Sequence, residues 1–276
     1  MNPRKIFYSL SPSARRMVRR LYYLPGDFFR SLTGKRHKYE PPRGKIFIGS
    51  GDFIAQGEWQ LTLLKKYAGL QPGHFVLDIG CGIGRTAVAL TDFMKKNAIY
   101  EGIDIMKENI DWCHKKIHPD HPNFRFHLSD LKNDLYNTSE EAAENYIFPF
   151  EEDHFDIIFL FSVFTHMQPS EVQNYLNEIN RMLKAGGRCL ATFFTYTTDE
   201  EKTISSSTNK FHFPVARDGY RLMDEKVQSA NVAFQIEKLI RMIGDAGLKV
   251  EKEIPGFWKV EKDGGNDFQD LLVLQR

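Results

Sequence analysis

The chain has 276 residues, 42% of them hydrophobic and 26% charged, with a formal net charge of +1. That is ordinary globular composition, and it excludes a disordered, collagenous or disulfide-stapled chain. The longest apolar stretch, Phe155–Phe164, is too short to span a bilayer as a helix, and no apolar run of signal-peptide type follows the N-terminal basic residues. Cys81, Cys113 and Cys189 show no paired spacing, so free thiols in a reducing, cytoplasmic setting are expected.

The charge is unevenly spread. Residues 1–45 hold twelve Lys/Arg against Asp27 and Glu40, a net +10, while the remainder is net −9. Ser11-Pro12 can cap and open a helix. In it, Ala14, Met17, Val18, Leu21 and Leu24 fall on one face and Arg15, Arg16, Arg19 and Arg20 on another, with Tyr22, Tyr23, Phe28 and Phe29 close behind. Such a basic amphipathic helix has two readings. Its apolar stripe lies in a membrane interface with arginines on anionic head groups, or the stripe packs on the protein itself. Nucleic acid is a weaker destination for the same charges. Pro41-Pro42-Arg43-Gly44 marks the passage from this arm (1–45) into the main domain (46–276).

Alternation then sets in. The pattern predicts strands over Phe75–Ile79, Ile99–Asp104 and Phe124–Leu128, with helices over Arg85–Lys96 and Lys107–Lys116 between them. Phe155–Phe161 is a near-continuous apolar run, as in a strand buried on both sides. Ser170-Glu171-Val172-Gln173 reads as a capping box for a helix that buries Val172, Leu176, Ile179 and Leu183 and ends at Gly186. Arg188–Thr195 is the fifth strand. Strands alternating with helices imply an α/β fold with a mostly parallel, doubly wound sheet. Residues 196–231 are polar with scattered aromatics, an insertion expected over the carboxyl edge of the sheet as an acceptor-binding cap. Val232–Gly244 returns to helical spacing, and Leu248–Ile254 and Phe268–Leu274 close the chain as strands.

The first strand runs into Val76-Leu77-Asp78-Ile79-Gly80-Cys81-Gly82-Ile83-Gly84. Glycine lets the backbone turn with positive φ and admits a ligand without a Cβ in the way. Asp78 stands at the carboxyl end of the strand, where an open α/β sheet binds its ligand. A dinucleotide fingerprint needs G-x-G-x-x-G, but here the third glycine comes one residue early and an acid precedes the first. A carboxylate there repels a pyrophosphate and suits a ligand with a cationic end. S-adenosylmethionine (SAM) carries a sulfonium and an α-amino group and no phosphate. His114 and His118 are one helical turn apart, but Pro119 and Pro122 break the segment and nothing completes a ligand set, so no metal is expected.

From about residue 47 onward the chain resembles the class I SAM-dependent methyltransferases, a Rossmann-like family. Asp78, Gly80, Gly82 and Gly84 match its D-x-G-x-G-x-G signature, and Phe155-Asp156-Ile157-Ile158 resembles its fourth strand. Leu183-Lys184-Ala185-Gly186-Gly187 resembles its L-K-P-G-G turn, with Ala185 where proline is usual. The resemblance implies a seven-stranded sheet with an antiparallel last strand inserted beside the fifth.

Candidate donor-site residues follow. Asp104 ends the second strand, where a carboxylate can accept both ribose hydroxyls or cap the helix after it, and Ile105 and Met106 would flank the adenine. By resemblance, Asp130 accepts from the adenine amino group, the Leu131 backbone reads the ring edge, and Phe161 and Ser162 contact the methionine end. Cys81 and Ile83 offer loop backbone to the ligand, and Cys81 is no nucleophile because the methyl carbon is transferred directly. For the acceptor, His166 is a candidate base that can equally hold a loop by hydrogen bonding, and His212, Arg217 and Tyr220 in the cap are candidate binding residues. Glu58 and Trp59, before the domain, are candidates to close the site.

The reading is therefore methyl transfer from SAM, leaving S-adenosylhomocysteine, to a small-molecule or lipid-linked or glycan acceptor, at oxygen. The rivals are an RNA or protein methyltransferase that grips its substrate with the arm, and a non-catalytic SAM-binding module that docks on a membrane. The corresponding location is cytoplasmic, peripheral on the inner membrane face.

Overall fold

The computed structural model describes residues 12–34, 36–46, 51–129, 131, 142–207, 211–259 and 267–276. Helix α1 (Pro12–Leu32) is the arm, and α2 (Phe53–Leu63) precedes the first strand. Alternation follows as expected: β1 (Phe75–Ile79), α3 (Arg85–Thr91), β2 (Ile99–Asp104), α4 (Lys107–Lys116) and β3 (Phe124–Leu128). Then come β4 (Phe155–Leu160), α5 (Pro169–Met182), β5 (Leu183–Tyr196) and a short α6 (Glu201–Ser205). The chain ends with β6 (Val215–Arg217), β7 (Tyr220–Leu222), β8 (Val232–Gln235), α7 (Ile236–Asp245), β9 (Lys249–Ile254) and β10 (Asp270–Gln275).

The strands β3-β2-β1-β4-β5 pair in parallel, and β10 lies antiparallel beside β5 with β9 antiparallel beyond it. These seven are the expected sheet. Side chains alternate across it. Leu77, Ile79, Ile158 and Leu160 point into one core, with Val172, Leu176 and Ile179 of α5 and Leu239 and Ile243 of α7. Val76, Ile157 and Phe159 point into the other, with Leu63 of α2, Ala87 and Leu90 of α3 and Ile110 of α4. Burial on both sides explains why β4 reads as an unbroken apolar run.

Several boundaries differ from the sequence reading. Helix α3 stops at Thr91 rather than Lys96, and α5 ends at Met182, so that Leu183 already opens β5. The box that starts α5 lies two residues earlier than expected: Gln168 is the cap, and its backbone N–H donates to the Glu171 carboxylate at 2.6 Å. Val232–Gln235 is a strand, not the first turn of a helix. Strand β5 runs past the end of β4, whose last pairing is Leu160 with Ala191, and this overhang pairs Phe194–Tyr196 in parallel with Ala233–Gln235. Pairing with the overhang supplies backbone partners that outweigh the local helical spacing.

Strands β8, β7 and β6 thus add three further strands off the carboxyl end of β5. The insertion has a small core of its own, with Phe194, Tyr196, Ile204, Phe213, Ala233 and Trp258 buried together. Asp270 ties the segment after β9, which carries Trp258 into this core, to β5, accepting from Thr195 N (2.8 Å), Thr195 Oγ1 (2.8 Å), Gly256 N (2.8 Å) and Trp258 Nε1 (2.8 Å). Among the described residues, no helix is long and apolar enough to cross a membrane.

Candidate active site

A cleft of about 1320 Å³, including its open mouth, lies across the carboxyl ends of β1, β2 and β4. The loop after β1 forms its floor. Gly80 N and Cys81 N both donate to the Ile103 carbonyl of β2, at 2.8 and 3.0 Å, which staples the loop over its neighbouring strand. The glycines divide their work. A Cβ on Gly80 would meet Val163 Cγ2 at 2.4 Å and one on Gly84 would meet Ile117 Cδ1 at 2.7 Å, so these two are required by packing. Gly82, at φ +54°, has no heavy atom within 4 Å of its ideal Cβ position. Its missing side chain leaves open room in the cleft wall.

Two carboxylates line this cleft, Asp78 buried and Asp104 half-buried. Asp78 accepts from the Tyr100 hydroxyl at 2.7 Å. Burial pushes its pKa up to about 8, the Tyr100 bond opposes the rise, and the nearby Asp104 charge adds to it. Asp104 accepts from Gly82 N at 2.9 Å, Met106 N at 2.8 Å and Asn109 Nδ2 at 3.4 Å. Its pKa is raised by burial, against the opposing bonds from Met106, Gly82 and Asn109. Asp104 therefore braces the glycine loop and the start of α4 together. A carboxylate offers about four acceptor sites, so with three taken about one remains for a ribose hydroxyl.

The opposite wall comes from the end of β4. Phe161 and Ser162 line the cleft, and Ser162 has a left-handed backbone at φ +60°. Such a conformation persists only where surrounding structure fixes it. Here Ser162 N donates to Thr192 Oγ1 at 2.7 Å and its hydroxyl bonds Gln269 Oε1 at 2.9 Å. His166 also lines the cleft, and its Nδ1 lies 2.8 Å from the Ser229 carbonyl. Burial lowers its pKa, partly offset by the Ser229 and Ala230 backbone, so the ring is neutral near pH 7. With Gln168 Nε2 donating to the Gln228 carbonyl at 3.3 Å, this bond ties the loop after β4 to the insertion. Glu171 and Tyr175 of α5 complete this end, and burial keeps the Tyr175 phenol protonated.

The structure brings Asp78, Gly80, Cys81, Gly82, Ile83, Asp104, Ile105, Met106, Leu131, Phe161, Ser162 and His166 to one cleft. Gly84 sits just behind it, as the residue that opens α3. Asp130 lies outside the described residues. His212, Arg217 and Tyr220 are not part of the cleft wall. Arg217 instead donates to the Ala216 carbonyl at 2.9 Å and pairs with Glu225 at 3.5 Å, and Tyr220 packs on the main core. The insertion reaches the site through backbone at 228–230, which residue type alone does not mark. Glu58 and Trp59 are likewise off the wall, and their neighbour Gln60 is on it, held by Thr86 Oγ1 at 2.7 Å. Gln60, Arg85, Asn109 and Ser129 line the cleft without having been anticipated. The Ser129 hydroxyl is buried and has no hydrogen-bond partner among the described residues. Its position directly before the expected Asp130-Leu131 pair is the signal that would have found it.

Known proteins supply an independent comparison. The family model described as a methyltransferase domain matches residues 76–187. Phosphoethanolamine N-methyltransferase 2 of Caenorhabditis elegans is 23% identical over 223 residues, which is 80% of this chain and 43% of that protein. The chain spans less than two thirds of the length of the curated relatives it matches. Among solved structures, the PH0226 protein of Pyrococcus horikoshii OT3 superposes with a TM-score of 0.53 at 19% identity, covering 84% of this chain and 94% of its own. The 1,6-didemethyltoxoflavin-N1-methyltransferase of Burkholderia thailandensis, solved with S-adenosylhomocysteine, gives 0.51 at 13% identity, covering 97% and 91%. These structures share the fold. The domain match spans β1 to the turn in β5, so residues 76–187 carry a methyltransferase domain, and the cleft lies where the D-x-G-x-G-x-G signature puts it.

Proposed function

We propose that this chain is an enzyme that moves the methyl group of SAM to a small-molecule or lipid-linked or glycan acceptor, at oxygen. One observation carries the donor half: two carboxylates, Asp78 buried and Asp104 half-buried, line one cleft beside the open position at Gly82. Burial and a neighbouring carboxylate make ionising Asp78 costly, and a cationic ligand offsets that cost. A ribose hydroxyl would donate to the acceptor site left on the carboxylate at the end of β2. The residues present therefore fit SAM, which supplies an electrophilic methyl carbon when bound.

The residues of the chain then bind, orient and handle a proton. Asp78 offsets the ligand's positive end, and Asp104 accepts from the ribose while holding the Gly82 loop in place. Ile105 and Met106 would flank the adenine, Asp130 and Leu131 would read its edge, and Phe161 and Ser162 would meet the methionine end. His166 accepts the proton of an acceptor hydroxyl, near Glu171 and Tyr175. Such alignment contributes roughly 7–11 kcal/mol in favourable model reactions, so geometry is the main catalytic asset. A cytoplasmic location, peripheral on the inner membrane face, accompanies this reading through the arm.

The test is transfer of labelled methyl from SAM into fractions of an extract of the cells that carry the gene, with Asp78→Ala as control. Label in the lipid-extractable or small-molecule fraction, absent with the variant, is expected. Label removed by nuclease or protease would move the acceptor to RNA or protein. SAM binding without label in any fraction would make the chain a non-catalytic module.

A further inference from the structure

The arm helix is mounted with its apolar side away from the body. At 100° per residue, Met17, Val18, Leu21, Leu24, Phe28 and Leu32 form one stripe, and all six are exposed, Leu21 at 63% and Phe28 at 66%. The side turned from this stripe holds Arg20, Asp27 and Arg30, which fasten the helix to α4 of the body and to the segment 36–46 that follows it. Arg20 pairs with Glu108 of α4 at 2.6 Å, and Arg30 pairs with Glu40 at 2.9 Å. The Asp27 carboxylate accepts from the backbone of Arg43 at 2.8 Å and Gly44 at 3.1 Å. Gly44 lies so close to the helix that a Cβ there would meet Arg20 Cα at 3.0 Å. A surface helix ordinarily does the reverse, burying its apolar stripe and showing its charges to water.

We propose that α1 is a docking helix for an anionic lipid bilayer, lying in the interface with this outward stripe in the acyl boundary. Charge complementarity selects that occupant. The stripe belongs to a segment of net +10 carrying Arg4, Lys5, Arg15, Arg16 and Arg19, on a body of net −9. A second copy of the chain would have to bring one such basic segment against another, whereas anionic head groups favour each Lys/Arg near the surface. A contiguous exposed apolar stripe rimmed by charge marks an interaction site.

The mount also leads to the cleft. The segment gripped by Asp27 continues directly into Lys45 and Ile46, which line the cleft, and Lys45 Nζ sits 5.0 Å from the Trp112 ring centroid. Docking of α1 thus sets the cleft beside the bilayer, and a lipid-linked acceptor reaches it from the membrane plane. The docking stands without the methyl-transfer reading, and only the delivery of an acceptor rests on that reading.

The experiment is co-sedimentation of the full chain with phosphatidylcholine vesicles, with and without phosphatidylglycerol. Leu21→Asp/Phe28→Asp and Phe29→Asp/Leu32→Asp serve as variants, with circular dichroism and SAM affinity as controls. Both pairs sit on exposed positions, so fold and SAM affinity are expected to be unchanged. The full chain should bind anionic vesicles, release at high salt, and lose roughly tenfold or more of its partitioning in each variant. No binding to anionic vesicles, or equal binding by wild type and both variants, overturns the proposal. So does a dimer in solution that both variants dissociate, since the stripe would then be covered by a second copy.

Discussion

SAM binding should tighten as pH rises through neutrality, because Asp78 has to ionise to receive a cation. In the folded protein without ligand its carboxyl titrates at about 8, raised by burial. At pH 7 it is protonated, and ionising it costs about 1.4 kcal/mol for each unit below its pKa. Affinity at pH 7 should therefore be about tenfold below its alkaline limit, and at pH 8 only about twofold below it. The sign follows from linkage. A cation lowers the carboxyl's pKa, so binding releases a proton and is favoured by higher pH. The protein without ligand behaves oppositely: a raised carboxyl pKa contributes stability that is present in acid and lost as pH rises through about 8. Calorimetric titration of SAM from about pH 6 to 9 measures the slope, and buffers of different ionisation enthalpy count the released proton. Tyr100→Phe removes the bond that opposes the rise, so it should weaken binding at pH 7 by about tenfold, in keeping with a hydrogen bond to a charged group. A flat affinity across this range in the wild type, or an equal slope in Asp78→Asn, would refute the reasoning.

Three further outcomes are expected. Gly82→Ala places a methyl group in open cleft space and costs about 1–2 kcal/mol for its left-handed backbone, so SAM affinity should fall about tenfold or more with an unchanged circular dichroism spectrum; retained affinity would remove the ligand from this wall. Asp270→Asn replaces a buried acceptor of four hydrogen bonds and should lower the denaturant midpoint by at least about 2 kcal/mol of stability, with SAM affinity per folded molecule unchanged. For His166, burial holds the imidazole pKa below its usual 6.5, so the rate should fall only on the acid side of that value, and His166→Gln should lower kcat and abolish that acid limb; an intact limb in the variant would assign it to another group.

The sequence by itself determined the parts whose causes are local. Strands β1, β2 and β3 and helix α4 fall at the residues their patterns mark, because alternation, apolar runs and flanking turn residues act within a few positions. The loop from Asp78 to Gly84 was equally legible, since positive φ at Gly80, Gly82 and Gly84 selects glycine whatever surrounds them. The antiparallel last strand came only through the family resemblance, since strand direction is a relation between distant segments.

Tertiary structure decided the rest. Val232–Gln235 carries helical spacing yet forms a strand, because the overhang of β5 offers it backbone partners. Arg217 and Tyr220, expected at the acceptor, make their contacts away from the cleft wall, and the insertion meets the cleft through the Ser229 carbonyl on His166, a backbone group that no side-chain pattern announces. Tyr100 stands two strand positions from Gly102 and twenty-two residues from Asp78, and only the parallel pairing of β1 with β2 brings its hydroxyl to that carboxylate. The arm shows the division most plainly. Its amphipathic pattern was written in the sequence, but the pattern fixes only the angle between the apolar and charged stripes. Which stripe turns inward was decided by Glu108 of the body and by Glu40 and the backbone at 43–44 of the segment after the helix, through ion pairs and hydrogen bonds whose partners lie beyond the helix itself.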